Sequence, residues 1–212
     1  MLALGAALAV LTATAALPAQ RGVRLDVEVP TGSALMTDGP LVRVRGVLAD
    51  RELRDLLRNG FPAQLHFRVE LWSVGGWFND LERQADWDVI VRYDPLEQTY
   101  RVARVVGEQV QTLGSFRDVA AADSTLALPF RPPITVPSAR QRYYYDVKLD
   151  VEILSLNDLD EVEQWLRGEA RPAVRDPRHA GTALTRGVRT LLVRLLGGER
   201  RHYEERTRTF RP

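Results

Sequence analysis

The chain has 212 residues, of which 45% are hydrophobic and 27% charged, and its formal net charge is +1. These values are typical of a globular protein and exclude an intrinsically disordered chain. Lys148 is the only lysine, so arginine carries nearly all the positive charge. In a chain with balanced charge, that bias does not indicate a nucleic-acid partner.

The first 19 residues are uncharged and consist of small or apolar side chains. Their position and length predict a signal peptide over residues 1–19, cleaved after Ala15 or Ala19, with a retained membrane anchor as the alternative. The chain has no cysteine, so an exported form would have no disulfide and no cysteine-linked lipid. We therefore expect a protein of the periplasm or cell envelope, soluble or peripheral to the membrane.

Beyond this segment, apolar and polar residues alternate with the period of a half-buried strand. The alternation predicts strands over residues 23–29, 41–48 and 63–71. Between the second and third strands, Asp50 is expected to cap a short helix on which Leu53, Leu56 and Leu57 share a face. Gly60 and Pro62 are expected to end that helix.

In the second half of the chain, a hairpin is predicted with Trp87–Tyr93 and Gln98–Val105 on either side of an Asp-Pro turn. Ser115 and Asp118 are expected to form a capping box for one or two helical turns. A proline-rich segment follows, which is typical of an edge or loop. Two further strands are predicted, one at residues 143–153 with one wet face and a last one near residues 200–210.

These strands are joined by turns, without regular helical crossovers, which favours antiparallel pairing. We predict a mainly β fold, either an antiparallel β-sandwich or an open barrel, with short helices at its ends and a C-terminal amphipathic helix. The sandwich core is expected to span residues 23–155. Residues 156–212 are expected to complete the same domain with helices, a loop and the final strand.

The order of these elements resembles a known family. A helix ended by "NG" and "FP", the strand "AQLHFRVELW", the hairpin "VRYDPLEQTYRV" and then "SFRDVAAA" are similar to domain of unknown function 4390. The resemblance covers roughly residues 24–153. It implies an exported protein of the bacterial envelope, and it supplies no activity and no catalytic residues.

No reaction centre is legible in the sequence. The histidines, His66, His179 and His202, are scattered and have neither cysteine partners nor a zinc-protease spacing, so we expect surface histidines. The chain contains no nucleophile elbow, P-loop or dinucleotide motif. The acids at residues 158–163 are better explained by a helix dipole than by calcium. We therefore predict no catalytic residue, no metal site and no cofactor.

Two features are candidates for contact with a partner. The first is an aromatic group, Trp72, Trp77, Phe78 and Trp87. These side chains either pack across strands, with Trp72 and Trp87 as neighbours, or form an exposed platform for a glycan, peptide or lipid.

The second feature is a predicted basic amphipathic helix at residues 182–196. Leu184, Val188 and Leu191 belong to its apolar stripe. The basic side chains are Arg186, Arg189 and Arg194. Such a helix lies on an anionic bilayer, docks on a partner, or covers one end of the sandwich.

The sequence favours a non-enzymatic envelope module that binds a protein partner or an anionic membrane surface. No nucleic acid is expected as a partner, and the sequence does not specify a small-molecule ligand. The alternative is an envelope hydrolase or carbohydrate-binding protein that uses Asp86 and Asp88 beside the tryptophans, since paired carboxylates are the groups that cleave glycosidic bonds.

Overall fold

A computed structural model describes residues 22–75, 77–154 and 200–212. The strands are β1 Arg24–Glu28, β2 Leu41–Arg45, β3 Ala63–Val74, β4 Asn79–Asp94, β5 Thr99–Val106, β6 Gln109–Phe116, β7 Tyr143–Ile153 and β8 Arg201–Arg206. The helices are α1 Ala34–Thr37, α2 Arg51–Arg58 and α3 Val119–Leu126. A six-stranded antiparallel sheet has the order β6-β5-β4-β3-β7-β8, and β1 pairs with β2 in a separate two-stranded sheet.

The core lies on one face of the large sheet. Strand β3 is its centre and contributes Leu65, Phe67, Val69 and Leu71, all almost completely buried. The small sheet, α2, α3 and the proline-rich segment after α3 add the side chains that cover this face. Burying a large aliphatic or aromatic side chain stabilises the fold by about 1.5–3 kcal/mol, so this layer is the main source of stability.

Helix α2 is formed and ended as its sequence predicts. The side chain of Asp50 accepts a hydrogen bond from Leu53 N at 3.0 Å, which satisfies one of the free N–H groups of the first turn. Leu53 and Leu57 are buried against the sheet. Gly60 has a φ of +91°, a left-handed conformation that glycine adopts without steric cost. The chain therefore leaves the helix and enters β3.

The predicted mainly β, antiparallel fold with few short helices is confirmed, and the large sheet is not closed into a barrel. The predicted capping box is wrong: Ser115 lies in β6, and Asp118 is itself the N-cap of α3, accepting from Ala120 N and Ala121 N at 3.2 Å. The sequence did not predict β6, which runs to Phe116, a residue that packs against the core.

Two carboxylates on the predicted wet face of β7 are more buried than expected. Asp146 and Asp150, on the face away from the core, are 4% and 9% exposed. Neighbouring strands cover them on both sides, because β7 lies between β3 and β8.

Several predictions lie outside the described residues. These are the signal peptide at 1–19, the acidic helix that follows residue 156, and the basic amphipathic helix with Leu184, Val188, Leu191, Arg186, Arg189 and Arg194. In the part of the chain that the structure describes, no helix is long and apolar enough to cross a membrane.

Candidate functional site

The face of the large sheet opposite the core carries rows of charged side chains. Strand register places four residues of β4, β3, β7 and β8 side by side: Asp88, His66, Asp150 and His202. The adjacent row on the same strands is Asp86, Arg68, Lys148 and Glu204. We call this whole side of the sheet, on which both rows lie, the charged face. Opposite charges on neighbouring strands stabilise the sheet and fix its register.

His66 is the central histidine of the first row. Its side chain is only 18% exposed, and its Nδ1 lies 2.8 Å from Asp88 Oδ1. Burial alone lowers the pKa of His66, but the hydrogen bond and charge of Asp88, together with the charge of Asp86, outweigh it and raise the pKa. The expectation of a surface histidine is therefore wrong for His66.

Asp150 joins the last two strands of the sheet. Its Oδ2 lies 2.5 Å from an Arg200 guanidinium nitrogen, and its Oδ1 lies 2.7 Å from Nδ1 of His202. Burial raises the pKa of Asp150, but the hydrogen bonds from Arg200 and His202 exceed that effect and hold the pKa below its usual value. Asp150 is thus a paired carboxylate.

Lys148, the only lysine, forms an ion pair with Glu70 on the same face of the sheet. Its Nζ donates to Glu70 Oε2 at 2.9 Å, and the indole Nε1 of Trp72 donates to the same oxygen at 3.1 Å. Burial lowers the pKa of Lys148, but the hydrogen bond and charge of Glu70 outweigh burial and leave the pKa above its usual value. The lysine is therefore kept charged.

An open cleft of about 310 Å³ lies over the charged face, lined by His66, Arg68, Lys148, Asp150, Arg200 and His202. The acids and bases of this cleft are paired with one another or with close neighbours. The lining includes no serine, threonine or cysteine that could act as a nucleophile. Among the described residues, no group of three or more His, Asp or Glu side chains is arranged to hold a metal ion. The arrangement suits electrostatic cohesion of the sheet.

Asp86 and Asp88 of the alternative hypothesis lie on this charged face. Asp86 is bound by Arg68 Nε at 2.8 Å, and Asp88 accepts from Gln64 Nε2 at 2.9 Å as well as contacting His66. Trp87, between them in sequence, points to the opposite face. The two carboxylates and this tryptophan therefore do not share one surface.

The four predicted aromatic residues are divided among three places. Trp87 is 3% exposed and stacks on Phe67 in the core, with ring centroids 4.8 Å apart. Trp72 lies on the charged face, where it stacks on Tyr144. The prediction that Trp72 and Trp87 are cross-strand neighbours is wrong, because Trp72 pairs with Leu81 and Trp87 with Phe67.

Trp77 and Phe78 lie in the turn that joins β3 to β4. They are 94% and 82% exposed, and Leu81 just beyond them is 46% exposed. We call these three residues the aromatic tip. A Cβ on Gly75 would collide with the carbonyl oxygen of Phe78, so the turn requires glycine at that position. The chain thus forms a close turn that presents two large aromatic side chains to solvent.

Arginines surround the aromatic tip. The loop before β7 reaches the base of the turn, where Val74 N donates to Arg142 O at 2.8 Å, and the last residues of the chain join it through Arg211 and Arg140 O. Residues 79–83, 140–142 and 211 include four exposed arginines and two exposed acids. The arginines are Arg83, Arg140, Arg142 and Arg211, and the acids are Asp80 and Glu82. This end of the molecule is aromatic at its apex and basic at its base.

The fold and its surfaces define a mainly β protein with an open antiparallel sheet, one face apolar and one charged, and an exposed aromatic turn. A family model, domain of unknown function (DUF4390), matches residues 43–157, which is just over half of the chain. The chain belongs to this family, and the resemblance noted in the sequence is confirmed. No curated protein and no solved structure matches the chain.

The charged face is the feature that sequence reasoning missed. A signal for it was present, because residues 64–70 and 146–152 both place charged or polar side chains at every second position. Pairing the two segments would have set acids opposite bases, but only the register decides which side chains meet.

Proposed function

We propose that this chain is a non-enzymatic module, exported to the bacterial envelope, that attaches peripherally to an anionic membrane surface through the aromatic tip. The observation that carries the proposal is the near-complete exposure of Trp77 and Phe78 on a turn that protrudes beyond the sheet. Large exposed aromatic side chains are unfavourable in water and are enriched at membrane interfaces, where the ring meets both lipid and headgroup.

The charge around the tip favours an anionic lipid surface over a neutral lipid surface. Four exposed arginines and two exposed acids give this end of the molecule a net positive charge. Basic side chains near an anionic bilayer contribute about 1 kcal/mol each, and an apolar insertion combined with basic residues is the usual form of peripheral attachment. The apolar first 19 residues support export, and the pairing of the acids and bases over the cleft supports a binding role without catalysis.

The experiment uses the exported form of the full chain, with its N-terminus determined by mass spectrometry. Its binding to vesicles of phosphatidylglycerol is compared with binding to phosphatidylcholine by co-sedimentation. Full burial of one large aromatic side chain contributes about 1.5–3 kcal/mol. If half of the Trp77 ring and half of the Phe78 ring enter the bilayer, the two together contribute about 1.5–3 kcal/mol. The double variant Trp77→Ser/Phe78→Ser should therefore bind anionic vesicles about 10- to 100-fold more weakly.

Leu96→Ser is the matched control. Leu96 is 95% exposed in the turn at the far end of β4, about 50 Å from the tip by the rise of a 16-residue strand. Losing this apolar side chain should leave vesicle binding unchanged. If the double variant binds anionic vesicles as tightly as the parent chain, the membrane proposal is wrong. The proposal is also wrong if the parent chain binds phosphatidylglycerol and phosphatidylcholine vesicles with equal affinity.

A further inference from the structure

Strand β6 is the outer strand of the large sheet on the side away from β8. It pairs with β5, and among the described residues no strand lies on its other side. In an antiparallel pair, every second residue directs its N–H and C=O away from the partner strand. The outer side of β6 is therefore a row of backbone donors and acceptors that can pair with a further strand.

The sequence of β6 lacks two of the features that usually prevent such pairing, charged side chains and proline. Proteins protect edge strands with charged side chains, proline or β-bulges. The pairing of β6 with β5 is irregular between Thr112 and Gly114, so residues 109–112 are its regular segment. The eight residues of β6, QVQTLGSF, contain no charged residue and no proline, although a charged fraction of 27% would place about two charged residues in a segment of that length. By contrast β8, the strand at the opposite edge, is RHYEER and packs against β1. The edge at β8 is therefore well protected, whereas residues 109–112 of β6 are not.

The unprotected edge is also accessible. Residues 109–112 are exposed, and an open groove of about 590 Å³ runs beside them over β4, β5 and β6. Ile90, Ala103 and Val110 give the groove an apolar part. A strand added to β6 would extend the sheet and cover the exposed side of Val110.

We propose that β6 is a dimerisation edge, at which a second copy of the chain adds its own β6 in antiparallel orientation about a two-fold axis. The absence of charge selects this occupant. In a two-fold pair the same strand lies on both sides, so any charged residue near the axis faces its own sign. A strand without charges avoids this repulsion, whereas an edge that recognises a charged peptide would be expected to carry complementary charges.

The first test is sedimentation equilibrium of the exported chain over a range of concentrations. The mass should rise from one to two protomers as concentration increases. The greatest overlap of two antiparallel copies of β6 puts the axis at its middle, beside Thr112. Thr112→Lys therefore introduces a positive charge close to its copy across the axis and should raise the dissociation constant at least 10-fold. Thr209→Lys, the same substitution at an exposed position beside β7, should not change it. Circular dichroism checks that both variants fold.

A second test uses the natural absence of cysteine. A two-fold axis perpendicular to the sheet keeps each side chain on its own face and places one residue of β6 opposite its own copy. Single cysteines are introduced in turn at residues 110–113, and one of them should form a disulfide-linked dimer under mild oxidation, since Cα atoms in opposed positions lie within disulfide range. Thr209→Cys should not.

A monomer at every concentration would overturn the proposal, as would a dimer whose affinity Thr112→Lys leaves unchanged. Failure of all four cysteines to crosslink would also overturn it. Capture of an unrelated peptide strand on β6 by a chain that stays monomeric would show that the edge serves a different partner, and would overturn the assignment of a second copy.

Discussion

The pair between Lys148 and Glu70 allows a sharp test of how the charged face stabilises the fold. Lys148→Met retains the length and most of the volume of the side chain but removes the cation that binds the Glu70 carboxylate at 2.9 Å. Glu70 is 7% exposed, so its negative charge would remain largely buried. The indole of Trp72 would be left as a single neutral donor to that carboxylate.

The magnitude follows from the burial of the two partners. Removing one partner of a fully buried pair costs about 3–5 kcal/mol. The Lys148 side chain is 31% exposed, so water partly screens the pair, and we expect a loss of about 2 kcal/mol in the free energy of unfolding. For a chain of this size that corresponds to a fall in Tm of about 4–8 °C.

The assay is urea denaturation of four proteins that form a double-mutant cycle: the parent, Lys148→Met, Glu70→Gln and the double variant. The double variant removes the uncompensated charge and should recover much of the stability that Lys148→Met loses, because a pair of neutral side chains costs less to bury than one unpaired ion. A loss below about 0.5 kcal/mol in Lys148→Met, or a double variant at least as unstable as that single variant, would refute this reasoning.

Three further predictions concern the remaining parts of the fold. The pKa of His66 is raised in the folded chain, so protonation of its imidazole increases the free energy of unfolding. That increase is complete below the unfolded pKa of 6.5 and is lost as pH rises through the folded pKa. The stability advantage of the parent over His66→Gln, measured by denaturation between pH 5.5 and 8, should therefore shrink as pH rises, and a constant difference would contradict it. Asp50→Ala should cost about 1 kcal/mol or more through loss of the helix cap and the Arg201 pair, and Asp50→Asn, which keeps a capping oxygen, should cost less; equal losses would mean that the cap contributes nothing. Trp87→Ala should cost about 3–5 kcal/mol by emptying its place against Phe67, whereas Trp77→Ala on the exposed tip should stay within about 0.5 kcal/mol by the same measurement.

The strands that sequence predicts well are those with one buried face. Residues 63–71 alternate because each apolar side chain of β3 enters the core, and the helix before them has its capping aspartate and its final glycine in the sequence itself. Strand β6 was missed for the opposite reason. Its first four residues, Gln109–Thr112, are exposed, so no apolar period marks them as a strand.

Register explains the error about the tryptophans. Trp72 and Trp87 would face each other only if the turn lay close to residues 79–80, whereas β3 ends at Val74 and β4 begins at Asn79. The turn therefore lies nearer the start of the chain, and each tryptophan meets a different partner. A hairpin's register is set by the turn, and nothing in "SVGGWFND" fixes which residues form that turn. The same uncertainty hid the pairing of acids and bases on the charged face.

The most direct measurement of the central claim, that the aromatic tip inserts into a membrane, is quenching of tryptophan fluorescence by brominated lipids. Brominated phosphatidylglycerol vesicles should quench the part of the parent chain's emission that comes from Trp77, one of its four tryptophans, because Trp77 lies at the exposed tip. Trp77→Phe should still bind those vesicles through two aromatic rings but lose most of the quenching. Equal quenching of the two proteins would place another part of the chain in the membrane and contradict the account.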